Sequence, residues 1–503
     1  MKTHLRASLP LLTVVLASLT PVATAQFTAD GRIPVHRLPG SSTATHVIDK
    51  PGSYYLQRDV VGESGRSGIE VQAKNVTLDL NGFRLFGQPG SLHGIHVTPA
   101  QGGLVVTNGY VNEWGGDGLH VDPLPPGPIS PPAGMRVDQV SWNDNFGSGI
   151  AGEAPGSLTV SQSEAHGNSG DGISWDVGDP AVQGPFDLRI QVIDSNLGLN
   201  GGNGLSADSG SLSGRVRVDR SVVSRNFGSG VSLTGVDLGV RQSEISHNAG
   251  HGVSSTDGDV DARDTTVSNN GLTGIQVVQT TGDSPALFGK GLELANNASR
   301  AIDAQDTGIG MLVESLIRQN GDGIFLGDRS SVANVNLDTG GFGIGTGISV
   351  GARSSVTGVR VSGCQTGVQT TVRAYLSRIF ADGNDRGIEA SNDSFLTLSF
   401  ATDGVQGVQL GSGSRMTDST VLGSATAVKL SSDSIVEHSA FLGNSHAVEI
   451  VGDDNVVKSN VFAGNSSSDV QDAGANNKVA SLTCDLDTAP ALANVGPPAA
   501  PQP

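Results

Sequence analysis

The sequence predicts an all-β chain, a single-stranded, right-handed parallel β-helix: a solenoid of about 17 coils with an N-terminal cap and a disordered C-terminal tail. Three observations carry this. The 503 residues include 71 Gly but only 14 Phe, 4 Tyr and 3 Trp, a balance that suits many tight turns between short strands. An aliphatic residue preceded by Gly or Ala recurs seventeen times, from Ile69 through Val231 and Val253 to Val448, at spacings of 20 to 32 residues. An Asn recurs four or five residues before many of these anchors.

The elements follow in chain order. Residues 1–25 read as a secretory signal peptide, with Lys2 and Arg6 ahead of an apolar stretch from Leu9 to Leu19 and an Ala23-Thr24-Ala25 cleavage site. The stretch is too short for a membrane span, so export to the periplasm or the medium is expected, without membrane insertion. Residues 26–50 carry no repeat and are expected to cap the first coil. Residues 51–471 form the β-helix. Residues 472–503 lose the repeat and end in a Pro/Ala-rich tail that reads as disordered.

Within a coil, strand alternation places each anchor inward, the next residue outward and the one after inward. The outward column is polar, as at Ser174, Ser206, Ser232, Ser254, Gln276, Gln369 and Glu389. The second inward column is apolar, as at Val71, Val97, Val121, Leu233 and Ile450. A third apolar column, with Trp142, Val223, Ile245 and Phe441, lies seven or eight residues before the anchors. From Ile348 to Val448 the anchors are 20 residues apart at every step. Asn226 and Asn248 are expected to be left-handed corner residues whose amides stack from coil to coil, and not ligands.

The run from Pro51 to Gly87, "PGSYYLQRDV…GIEVQAKNVTLDLNGFRLFG", and the repeated N-x-x-x-G-[IV] resemble bacterial right-handed parallel β-helix repeat proteins of the pectate-lyase-like superfamily. The resemblance covers roughly residues 45–470. It implies a fold and leaves the activity open, because that group includes lyases, hydrolases, phage tailspikes and non-enzymatic surface proteins.

Charge narrows the partners. Loss of Lys2 and Arg6 with the leader takes the formal charge from −19 to −21. Such a surface repels nucleic acid and disfavours polyanionic sugars. Cys364 and Cys484, 120 residues apart, are expected to be unpaired thiols, although a folded-back tail would let them bond.

Function on a repeat scaffold gathers where the repeat is broken. Three long coils carry insertions after the anchor strand, at Asp122–Gly134, Asp176–Asp187 and Gln279–Lys290, and these should emerge along one edge. Trp142 and Trp175 read as core; Trp114, at a corner where other coils place Asn, reads as the exposed one. The Gly250-His251-Gly252 triplet spells a polygalacturonase motif, but His251 fills a repeat position and the motif's partners are missing. Asp257, Asp259 and Asp261 alternate, and Arg241 and Arg263 share a register with Asp219; solvated turns and a surface charge column account for them.

The candidate site lies near the N-terminal end. Glu70, His96 and His120 hold the same outward position on three consecutive coils, and His93 and Asp117 both lie two residues before their anchors. Imidazole beside carboxylate suits proton transfer or metal binding. The catalytic candidates are His96, His120 and Asp117. No cofactor is implied, save that Glu70, His96 and His120 could hold a divalent metal. Two functions stay open: a carbohydrate-binding or interaction scaffold that engages polysaccharide or cell-surface glycan, and a polysaccharide lyase or glycoside hydrolase.

Overall fold

The structure is a computed structural model that describes residues 31–98, 102–124, 134–177, 187–210, 212–282, 284–340, 344–480 and 483–484. The expected leader and the chain beyond Cys484 lie outside the described residues.

The coil that starts at Val231 shows how residue types build one turn. Strand Val231–Thr234 points Val231 and Leu233 inward and Ser232 outward. Gly235, at φ 64, turns the chain into strand Val236–Arg241. Gln242, at φ 49, bends it again and sends Ser243 inward before strand Glu244–Ser246. His247, at φ 57, makes the next corner and turns Asn248 inward. Gly252 then leads into Val253, which pairs in parallel with Val231. A Cβ on Gly252 would stand 2.4 Å from Val267 Cγ1 and 2.6 Å from Gly274 O, which explains the Gly before this anchor.

Repetition of this turn gives parallel sheets throughout the described residues. Nineteen strands stack on the anchor face, from Ala44–Ile48 to Ser468–Asp472, which makes about 18 turns. At ~4.8 Å per strand this face is about 85 Å long. The ladder starts inside the segment expected to be only a cap, since Ala44–Ile48 pairs with Ser67–Val71 and Ile33–Pro34 with Tyr54–Tyr55. It also runs past residue 471, where Lys478–Ala480 and Thr483–Cys484 still pair with the coil before. Among the described residues no helix is long and apolar enough to cross a membrane.

Two buried polar ladders close the corners. Asn248 Oδ1 accepts from Asn226 N and Nδ2, and its own Nδ2 donates to Asn270 Oδ1 and to Val223 O. The chain of such bonds runs unbroken from Asn145 to Asn320. The left-handed residue is the one before the Asn, as at Arg225 and His247, and not the Asn itself. The reason is steric: the amide can stack only if it points inward, so its neighbour takes the bend. The second ladder is serine: Ser163 N donates to Ser195 Oγ, Ser195 N to Ser221 Oγ, and Ser221 N to Ser243 Oγ. Each Ser follows a left-handed residue, here Gln162, Asp194, Arg220 and Gln242.

Trp142 and Trp175 are buried, as expected. Trp114 is buried too, against expectation. The Asn corner is an inward position, and Trp114 heads that ladder: its N–H donates to Asn145 Oδ1, and its indole Nε1 donates to Leu85 O at 3.2 Å. Cys364 is free and buried, and burial pushes its thiol up to about 12.

Candidate functional site

Strands Ile95–Val97 and Leu119–Val121 pair in register, so His96 stands directly beside His120 with both side chains outward. His93 and Asp117 arrive just ahead of these strands. Their position belongs to a third ladder. From Ser67 to Thr273 the residue two before the anchor offers a side-chain acceptor to the amide of its counterpart one coil later. Asp117 N donates to His93 Nδ1 at 3.1 Å, Ser148 N to Asp117 Oδ1 at 2.6 Å, and Asn203 N to Asp171 Oδ1 at 2.5 Å. Two glycines make room: a Cβ on Gly116 would stand 2.8 Å from His93 Nδ1, and one on Gly147 would stand 2.2 Å from Asp117 Oδ1.

The ladder occupies one atom of each residue and aims the other. Asp117 Oδ2 accepts from His120 Nδ1 at 2.9 Å and lies 3.4 Å from His93 Nδ1. While His93 Nδ1 receives the Asp117 amide it carries no proton. The rings of His93 and His120 stack with centroids 4.2 Å apart. Burial pushes the Asp117 carboxyl up, but the hydrogen bonds from His120 and from the Ser148 amide lead the effects that outweigh it and hold the group well below the usual carboxylate range. The hydrogen bond to Asp117 raises His120 against the opposing effect of burial.

His96 faces a second carboxylate. Its Nε2 lies 3.0 Å from Asp122 Oδ1, and the same oxygen is 3.4 Å from His120 Nε2. Three imidazoles and two carboxylates are thus linked on one outward face. Such a group can move a proton, or hold a cation through His93, Asp117 and His120, whose ligand atoms lie within 4.8 Å of one another.

Residues 64–297 match a family model described as right handed beta helix region. The fold is a right-handed parallel β-helix. No curated protein matches it. Solved structures similar to this β-helix include a periplasmic alginate epimerase, at 11% identity and TM-score 0.24, over 91% of this chain and 84% of that one. A pectate lyase is similar at 16% identity and TM-score 0.21, over 67% of this chain and 68% of that one. The receptor binding domain of the siphovirus 9NA tailspike is similar at 9% identity and TM-score 0.23, over 94% of this chain and 80% of that one.

The β-helix brings His96, His120 and Asp117 together and adds His93 and Asp122. It does not bring in Glu70. That carboxylate is buried and is taken up by Thr43 Oγ1, which donates to it at 2.8 Å, and by Gln72 Nε2, which donates at 2.6 Å. Among the described residues, the side chains close enough to share an ion are His93, Asp117 and His120, a group that includes neither Glu70 nor His96.

Other motifs resolve into scaffold. His251 sits in the third ladder, where its Nδ1 accepts from Thr273 N at 3.3 Å. Asp257 takes the amides of Thr280 and Thr281, and hydrogen bonding from Thr280 holds it down at about 2. Asp259 takes the amide of Ala286. Arg241 and Arg263 both pair with Asp261 on an open face. Much of the insertions, residues 125–133, 178–186 and 283, lies outside the described residues.

Sequence reading missed two exposed rings. Phe146 and Phe227 are 73% and 75% exposed, each four residues before its anchor. The signal was available: each directly follows a ladder Asn, a position that Ser169, Gly201, Ala249 and Gly271 fill in neighbouring coils.

Proposed function

We propose that this β-helix is an exported carbohydrate-binding protein and that the anchor face of its N-terminal half is the binding surface. The observation that carries the reading is the pair Phe146 and Phe227. They stand in one column, three coils or about 14 Å apart, at the corner that leads into the polar anchor strands. Aromatic rings accept the apolar faces of sugars, while a row of hydroxyl, amide and imidazole groups bonds their edges. The formal charge of −19 favours neutral glycans over acidic ones. The Ala23-Thr24-Ala25 leader motif supports export.

The test is a glycan array probed with untagged mature chain, residues 26–503, followed by titration of the best neutral glycan. Binding that falls at least tenfold in a Phe146→Ala, Phe227→Ala double variant is the expected result. An array without hits, or a double variant that binds like the parent, overturns it.

A second reading, a polysaccharide lyase or glycoside hydrolase, is favoured by the linked His93–Asp117–His120 group, which sets a lowered carboxyl within hydrogen-bond distance of a raised imidazole. It requires new reducing ends, or the ultraviolet absorbance of an unsaturated product, and loss of that activity in a His96→Ala, His120→Ala double variant. Activity that survives in a folded double variant excludes this site.

A further inference from the structure

We propose that His93, Asp117 and His120 form a binding site for one divalent transition-metal ion, supported by His96 and Asp122. The inference is independent of the glycan reading.

Spacing is the first support. His93 Nδ1 and His120 Nδ1 lie 3.4 and 2.9 Å from Asp117 Oδ2. Ligand atoms that share an ion at bonds of about 2.0–2.2 Å stand apart by about that much. Orientation is the second. The Ser148 amide fixes Asp117 Oδ1 at 2.6 Å and leaves Oδ2 aimed at both rings. Asp122 Oδ1 faces the far nitrogen of His120 and is itself held by His96 Nε2 at 3.0 Å. A carboxylate behind a ligating imidazole fixes the ring and raises its basicity.

Space is the third. Gly116 and Gly147 leave bare backbone against His93 and Asp117, where a methyl group would collide. Gly170, Gly202, Gly228 and Gly250 leave the same room along the ladder, but there Ser148, Asp171, Asn203 and Ser229 fill the position without an imidazole pair, and His251 stands between Ser229 and Thr273. Two imidazoles and one carboxylate suit zinc or its neighbours, and suit calcium or magnesium poorly.

Binding has a simple proton balance. The ion takes the place of the proton that His120 Nδ1 shares with Asp117, and that proton goes to water. His93 Nδ1 exchanges the Asp117 amide for the ion.

The experiment titrates chelator-treated, untagged mature protein with Zn²⁺ by calorimetry. Co²⁺ absorption then reports the ligand field, and metal content is measured after dialysis. One Zn²⁺ per chain is expected. Asp117→Asn keeps an oxygen for the Ser148 amide, so the fold survives while the ligand charge is lost. It and His120→Ala should each weaken Zn²⁺ at least tenfold and abolish the Co²⁺ band. His96→Ala should weaken it less, and His251→Ala not at all. A parent that takes up no Zn²⁺, or folded Asp117→Asn and His120→Ala variants that bind like the parent, overturns the proposal.

Discussion

The coils from Ile95 to Ile275 and those from Ile388 to Val448 are one design with a single residue of difference at a corner. In the first group most corners place Asn five residues before the anchor, and the anchor strand begins at the anchor, as in Ile95–Val97 and Val231–Thr234. In the second, Asn384 and Asn444 lie four before, and the strand begins two residues earlier, as in Arg386–Ala390 and His446–Ile450. The shorter corner draws the residue two before the anchor into the sheet. Arg386, Gln406, Thr426 and His446 pair there in register, and Arg386 reaches Glu389 on the surface. The longer corner frees that residue to accept the next coil's amide through its side chain. One atom is then held by the backbone and the other is presented in a fixed direction. The linked His and Asp residues occur on the longer corner, where side chains are pre-aimed.

The largest expected effect breaks the comparison at the corners. Asn248 makes four buried side-chain bonds within a continuous stack, whereas Asn384 makes two, to Val361 O and from Cys364 N. Asn248→Leu should cost about 3–5 kcal/mol, because it leaves several buried groups unpaired. Asn384→Leu should cost about 1–3 kcal/mol. Denaturant midpoints check both, and equal losses would mean that stacking adds nothing.

A smaller effect follows pH in the metal-free protein. His120 is raised above its ordinary 6.5, so its contribution is complete below 6.5 and is lost as pH rises through the raised value. Asp117 is lowered from 3.8, so its contribution is complete above 3.8 and is lost as pH falls. The pair therefore stabilises most between these two values, by about 2 kcal/mol for a charge-assisted bond. The Tm difference between parent and His120→Ala should peak near pH 5 and shrink at pH 8 and pH 2. Arg386→Ala should show no decline toward pH 8, because a guanidinium does not titrate there.

The sequence made the scaffold legible because a solenoid writes its geometry as spacing. Ile69 to Val448 named the inward column, and Asn226 and Asn248 named a corner. The misses share a cause: they depend on which way one corner residue points. Trp114 occupies an Asn position and so turns inward. Ser195 and Ser221 form a ladder that spacing alone does not separate from surface serine. Glu70 has the register of His96 and His120, but Thr43 from the N-terminal segment captures it. His93 was visible as a neighbour, yet its ring stack with His120 depends on bare backbone at Gly116.

The smallest expected effect is on stability at the exposed rings. Phe146→Ala removes a side chain that is largely in water, and its stability should change by less than about 0.5 kcal/mol. A larger loss would make Phe146 a packing residue and remove it from the binding surface.

The central claim is that ligands engage the long-cornered N-terminal coils while the 20-residue coils serve as scaffold. Hydrogen exchange of the mature chain, with and without a saturating amount of the best glycan from the array, tests it most directly. Protection should concentrate on the anchor strands and corners between His93 and Val231, with residues 344–450 unchanged. Protection centred on residues 344–450, with none between His93 and Val231, would contradict the account.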